Sequence, residues 1–180
     1  MREVRLLISE GDYTRLCQHL LPTDTDTEQA AFLLCAYAAA EGAFNCEELI
    51  LIRPRQFEIR SAYHLELDDT TRGQVIKAAH DRQCSLVEAH SHPFSSTARF
   101  SGSDFDGLAE FVPHVWWRLR HRPYAALVFT PRSVDGLAWI DGPAAPVRLA
   151  VVQVGDRTIQ TTGLSFEGVE RDDDEQIRQE

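Results

Sequence analysis

The chain has 180 residues, 43% of them hydrophobic, and a formal net charge of −10 with Lys77 as its single lysine. A domain of that size can bury a proper core, and its acidic surface repels a phosphate backbone, which argues against nucleic acid as a partner. No apolar run reaches bilayer length, and the start Met1-Arg2-Glu3-Val4-Arg5 lacks the stretch of a signal peptide, so a cytoplasmic protein with no membrane partner is expected.

In chain order, Val4 to Ser9 reads as a short strand and Asp12 to Leu21 as a helix ended by Pro22. A polar loop, Thr23 to Thr27, precedes two strands of a hairpin, Phe32 to Ala39 and Glu48 to Arg53, turning around Glu41-Gly42. An extended piece near Phe57 to Arg60 and a helix over Asp69 to Arg82 follow. Cys84 to His90, small and apolar, reads as a strand, Phe94 to Phe100 as a loop, and Asp104 to Arg120 as a helix that Pro113 kinks or breaks. Ser103 with Asp106 has the form of an acidic capping box for that helix. Pro123 to Thr130, Gly136 to Ile140 and Val147 to Val154 predict an antiparallel finish, separated by turns at Asp135-Gly136 and Asp141-Gly142. Residues 1–166 form the expected domain. The stretch 167–180, with Asp172-Asp173-Asp174-Glu175, is too poor in apolar residues to pack and is expected to be a mobile acidic tail.

The chemistry concentrates in His90-Ser91-His92-Pro93, followed by Ser101 and Asp104. Side chains two apart on a strand share a face, so both imidazoles point the same way, and Asp104, in the first turn of the following helix, can swing back toward them. Two nitrogens and one carboxylate can close on one metal ion and leave a position for water, which is the pattern of hydrolytic rather than structural zinc sites. The competing reading makes Ser101, Ser103 and Asp104 nothing more than an N-cap cluster, and capping and catalysis can both hold. His19, His64, His80, His114 and His121 show no ligand spacing. Cys17, Cys35, Cys46 and Cys84 form no C-x-x-C pair and read as reduced, buried thiols. Arg118 to Arg122 is most simply a solvated helix terminus, with an acidic patch on a partner as the rival reading.

The run H-x-H-P-x7-S-x2-D resembles the signature of the JAMM (JAB/MPN-domain) metalloproteases, and the match runs from His90 to Asp104 without a departure. The resemblance implies an α/β fold of the MPN/JAB, cytidine-deaminase-like kind, a curved mixed β-sheet flanked by helices. It also implies Zn²⁺ on His90, His92 and Asp104, oxyanion stabilisation by Ser101, and a general base from an upstream strand. Glu28 opens a small and apolar run, Gln29 to Cys35, and is the choice for that base, although Ala30-Ala31 stand where the family commonly has glycine. Glu88, on the same face as His90, is its rival. By the same resemblance the chain is a zinc-dependent isopeptidase or peptidase acting after the C-terminal tail of a ubiquitin-like protein. Its partners are then that protein, its conjugates and the activating or conjugating enzymes of the pathway, with bacterial antiphage conjugation as one setting. Arg53, Arg55 and Arg60 lie where a tail-binding edge would run, or are ordinary surface charge. A zinc amidohydrolase of small aminoacyl or carrier-protein conjugates and a non-catalytic MPN scaffold are the alternatives.

Overall fold

A computed structural model describes residues 3–24, 26–62 and 64–169. Residues 170–180, most of the expected acidic tail, lie outside the described residues. Strand β1 (Val4–Ile8) runs into helix α1 (Glu10–Leu20), whose N-cap Ser9 accepts from Asp12 N at 3.1 Å. Strands β2 (Ala30–Ala38) and β3 (Ala43–Leu51) form the hairpin around Glu41-Gly42. Gly42 has φ +65°, and a Cβ there would stand 3.1 Å from Glu3 O, so both backbone conformation and space require glycine. β3 begins at Ala43 rather than Glu48 because Phe44 is already wholly buried against the core.

A short 3₁₀ turn, Pro54–Gln56, leads to a two-stranded ribbon of β4 (Phe57–Arg60) and β5 (Leu65–Leu67). β5, only three residues long, left no alternation to read. Helix α2 (Asp69–Asp81), capped by Asp68 on Thr71 N at 2.6 Å, precedes β6 (Ser85–Ser91). Helix α3 (Gly102–Arg118) then passes through Pro113 without ending there. It crosses to β7 (Tyr124–Phe129), parallel to β6. β8 (Val134–Trp139), β9 (Val147–Val154) and β10 (Arg157–Gln160) complete an antiparallel run, and residues 164–169 are helical.

The expected open, curved MPN/JAB sheet flanked by helices is not what these strands build. β1 pairs in parallel with β3 on one side and with β9 on the other, from Val4 opposite Leu149 to Ile8 opposite Val154. The order β1-β3-β2-β6-β7-β8-β9 therefore returns to β1 as a closed seven-stranded barrel with few helices, and β10 adds to β9 outside the ring. The physical reason is that β1 has two free edges and five residues of alternating burial, and both edges find parallel partners far away in sequence. Closure removes the exposed edges that an open sheet must protect.

Two apolar clusters occupy the two faces. One packs Phe32, Leu86, Tyr124 and Trp139 of the strands against Val75 and Ile76 of α2 and Leu108, Val112 and Val115 of α3. The other holds Leu6, Leu33, Val87, Leu127 and Val152 with Leu16 and Leu20 of α1. Among the described residues no helix is long and apolar enough to cross a membrane, and all four cysteines are free.

Asp135 and Gly136 lie inside β8 rather than in a turn, and each has a packing reason. A Cβ on Gly136 would meet Leu127 Cδ2 at 2.8 Å. The wholly buried Asp135 carboxylate accepts from Gly163 N at 2.8 Å and Ser165 N at 2.9 Å. Asp135→Ala leaves two buried N–H groups without a partner, and thermal or urea unfolding should show a loss of about 2–4 kcal/mol.

Candidate metal centre

β6 ends at Ser91, so His90 and His92 bracket its last residue and project on the face covered by α2 and α3, as Leu86 does. β2 runs antiparallel alongside with Ala30 opposite His90 and Phe32 opposite Glu88. Two residues back along β2 and two forward along β6, Glu28 faces His92. The pairing persists beyond the strand ends: Ser91 N donates to Gln29 O at 3.1 Å, and Gln29 N donates to the Ser91 hydroxyl at 3.0 Å. Glu28 is held on its other side as well, its N–H on Ser61 O at 2.8 Å and its carbonyl accepting from Arg60 Nε at 3.1 Å. Arg60 thus serves the Glu28 backbone, with its guanidinium over the Phe57 ring.

Asp104 comes from the first turn of α3. The N-cap is Ser101 rather than Ser103, because its hydroxyl accepts from Asp104 N at 3.2 Å while Ser101 N donates back to Asp104 Oδ2 at 2.6 Å. The capping box is therefore Ser101 with Asp104, two residues earlier than Ser103 with Asp106. The Ser101 hydroxyl also donates to Asp104 Oδ2 at 2.7 Å. In this arrangement it orients the carboxylate.

The side chains converge. Asp104 Oδ1 stands 3.4 Å from His90 Nε2, Asp104 Oδ2 stands 3.2 Å from His92 Nε2, and Glu28 Oε1 stands 3.6 Å from His92 Nε2. One ligand atom each from His90, His92 and Asp104 lies within 4.8 Å of the others. Ligands about 2.0–2.1 Å from a tetrahedral zinc stand roughly 3.3–3.4 Å apart; each histidine is near that distance from one Asp104 oxygen, His90 from Oδ1 and His92 from Oδ2, so a small movement would bring the three donors onto one ion. His90, only 9% exposed, leaves Nε2 buried without a hydrogen-bond partner. Its nearest polar neighbour is Asp104 Oδ1, at 3.4 Å and without hydrogen-bond geometry, an arrangement that a metal ion between the two would account for. The donor set of two imidazoles and one carboxylate suits a divalent metal of the zinc type.

Electrostatics fit the same picture. Burial pushes the Glu28 carboxyl up, and His90 and His92 partly offset that. Burial opposes ionisation of Asp104 as well, but contacts with His90 and His92 and the Ser101 N–H more than compensate and hold it below the usual carboxylate range. Burial alone would push His90 down, yet the Asp104 carboxylate, with Glu88 and Glu28 behind it, turns the net shift upward. Glu88 is placed differently from Glu28. It accepts from the Tyr124 hydroxyl on the sheet side of a cleft of about 410 Å³ that also takes in His90 and Asp104, and burial pushes its carboxyl up. Glu28 is the carboxylate in contact with His92.

The supports of this centre come from distant parts of the chain. The Phe100 ring packs 5.6 Å from His90, and Phe100 N donates to Ser165 Oγ at 2.9 Å. Ala98 is held at both ends, N–H on Ser133 Oγ and carbonyl accepting from Thr162 Oγ1, each at 2.8 Å. These ties fix the segment between His92 and Ser101, and no local pattern announces them. Ser91 is different: as the middle residue of H-x-H it must face away from the imidazoles, where a small hydroxyl can reach the β2 backbone. No family model matches the chain, and no curated protein matches it.

Purified protein should bind roughly one equivalent of zinc, measured by elemental analysis, and His92→Ala and Asp104→Ala should lose most of it. Because the His90 proton affinity is raised, protons compete with metal for Nε2 and affinity falls as pH drops through that raised value. Calorimetric titration should therefore show weaker zinc binding at about pH 6 than at about pH 8, with proton release on binding.

Proposed function

We propose that the chain is a zinc-dependent amide hydrolase of the JAMM type, an isopeptidase or precursor-processing peptidase that cuts after the C-terminal tail of a ubiquitin-like protein. The observation that carries this reading is the meeting of His90, His92 and Asp104 with a buried carboxylate, Glu28, at one end of β6. It rests on the site and the H-x-H-P-x7-S-x2-D run, and not on the barrel, since chemistry belongs to sites rather than folds.

Bound to His90, His92 and Asp104, zinc would supply Lewis acidity to the scissile carbonyl and bring a coordinated water toward a neutral pKa. The residues do the rest. Glu28, 4% exposed, offers Oε1 beside His92 to take a proton from the attacking water and to return one to the leaving amine. Its raised proton affinity suits a group that must both accept and release. Ser101 holds Asp104 through Oδ2, and a turn of its hydroxyl toward the substrate would donate to the developing oxyanion. Strand β5, hydrogen-bonded on one side by β4, borders the cleft with Leu65, Glu66 and Leu67 and gives an extended tail an edge to pair with.

The test is cleavage of ubiquitin-like fusions by wild type and two variants, with zinc measured in each. Glu28→Gln should keep its zinc and lose about 10²–10⁴ in turnover, whereas Glu88→Gln should stay within about tenfold of wild type. Chelation should stop cleavage and zinc should restore it. Full activity of Glu28→Gln with a dead, zinc-replete Glu88→Gln would transfer the role of base to Glu88. Hydrolysis of small aminoacyl conjugates with no cut in any fusion would replace the protein substrate by a small one.

A further inference from the structure

The cleft at the metal centre does not end there. It shares Leu65, Glu66, Arg72 and Glu110 with a second hollow, of about 450 Å³, between β5, α2 and α3. That hollow shares Gly73, Ile76 and His114 with a third, of about 760 Å³, lined by the C-terminal parts of α2 and α3. The three lie in succession along α3 from Asp104 to Trp117, each sharing walls with the next, and are treated together as one groove. Thirteen residues of helix span about 20 Å, the length of about six residues of extended peptide.

The groove is polarised. At the metal end Glu88, Asp106 and Glu110 line it together with Glu66, which lies 3.2 Å from Arg72. The far end is lined by Lys77, His80, His114, Arg118 and Arg120, and its carboxylate, Asp81, lies against Lys77 and His80. In a chain of net charge −10, Arg118 and Arg120 stand together at this end with no carboxylate of the hollow against them, Asp81 being taken by Lys77. Trp117 stands beside them with 67% of its surface exposed and the Arg118 guanidinium 5.1 Å from its ring centre. Large exposed aromatics flanked by arginine are characteristic of binding surfaces.

We propose that this groove binds the substrate as an extended polypeptide segment of bipolar charge, with a basic side chain in the Glu88–Glu110 cleft next to the scissile bond and acidic residues about six positions away against Trp117, Arg118 and Arg120. This inference rests on the proposed hydrolase in placing the scissile bond at the metal end, and it names the class of segment that hydrolase takes. Charge complementarity selects the occupant. A single-stranded nucleic acid would suit the Trp117 end but would carry its phosphates into three carboxylates at the other.

Binding is separable from hydrolysis. Fluorescently labelled twelve-residue peptides, with two lysines at one end and three glutamates at the other in both chain directions, are titrated by anisotropy against zinc-loaded protein, beside charge-scrambled versions and an oligothymidine. One direction of the bipolar peptide should bind at least about tenfold more tightly than its scrambled form. Arg118→Glu with Arg120→Glu should weaken it by a similar factor with zinc content and melting temperature unchanged, and Trp117→Ala should weaken it without touching zinc. A peptide with acidic residues at both ends should recover affinity for the Glu110→Lys protein. Equal binding of bipolar and scrambled peptides, indifference to the arginine substitutions, or tighter binding of the oligonucleotide would overturn the groove. Charge-dependent binding without cleavage of any fusion would leave the groove standing and remove the proposed hydrolase.

Discussion

The arrangement depends on the antiparallel register of β2 against β6. Ala30 lies opposite His90, and from that pairing Glu28 lands beside His92. A slip of one residue would turn Glu28 to the opposite face and bring a neighbour of different chemistry, Thr27 or Gln29, to the imidazoles. The register is held where apolar burial is densest, since Leu33, Leu34, Leu86 and Val87 are all fully buried at paired positions. It is held again at the open end by the Ser91 hydroxyl on Gln29 N. The geometry of the candidate site is a by-product of core packing carried two residues past the end of a strand.

Bringing Glu28, His90, His92 and Asp104 together out of water costs free energy, because each polar group gives up hydration for partners at 3.2–3.6 Å. The fold offsets that cost through the interactions that hold these groups in place. Asp104 serves twice, as the N3 member of the α3 capping box and as the acid facing both histidines. Ser101 holds it there, Phe100 walls His90, and Ser133, Thr162 and Ser165 tie the preceding segment to the barrel. Serine and aspartate at those positions favour a helix start whatever surrounds them. Its placement after β6, in the parallel crossover to β7, is what brings the cap carboxylate to the histidines.

Most local elements were legible because hydrophobic period and capping chemistry act over a few residues. The strand bearing the histidines, the helix over 69–81 and the convergence of His90, His92 and Asp104 needed only those rules. Helix α3 was misread at its start because Ser101 and Ser103 offer the same cap with an acid three residues on, and only the observed hydrogen bonds choose between them. Asp135-Gly136 looked like a turn because that pair commonly is one, while here the glycine avoids Leu127 and the carboxylate serves residues 163–165. Barrel closure was out of reach for a different reason. Pairing of Val4–Ile8 with Val147–Val154 joins residues more than a hundred positions apart, and alternation within a strand is the same whether its edge is free or paired.

The closed sheet separates the two kinds of evidence for function. The motif run implied both a site and an architecture, and the strands contradict the architecture while the side chains of that run still converge. A metal site asks only that three donors meet with room for a fourth ligand, and a strand end followed by a loop and a capped helix provides that in an open sheet or a closed one. What the barrel adds is rigidity. With β1 paired on both edges, β2 and β6 sit within a ring of hydrogen bonds rather than near a fraying margin, so the positions of Glu28 and His90 are set by the whole ring. On the face that α2 and α3 cover, hollows remain between β5 and the two helices. The cleft beside His90 and Asp104 lies in one of those hollows, so the candidate site opens at the seam between the barrel and its helices rather than inside the ring.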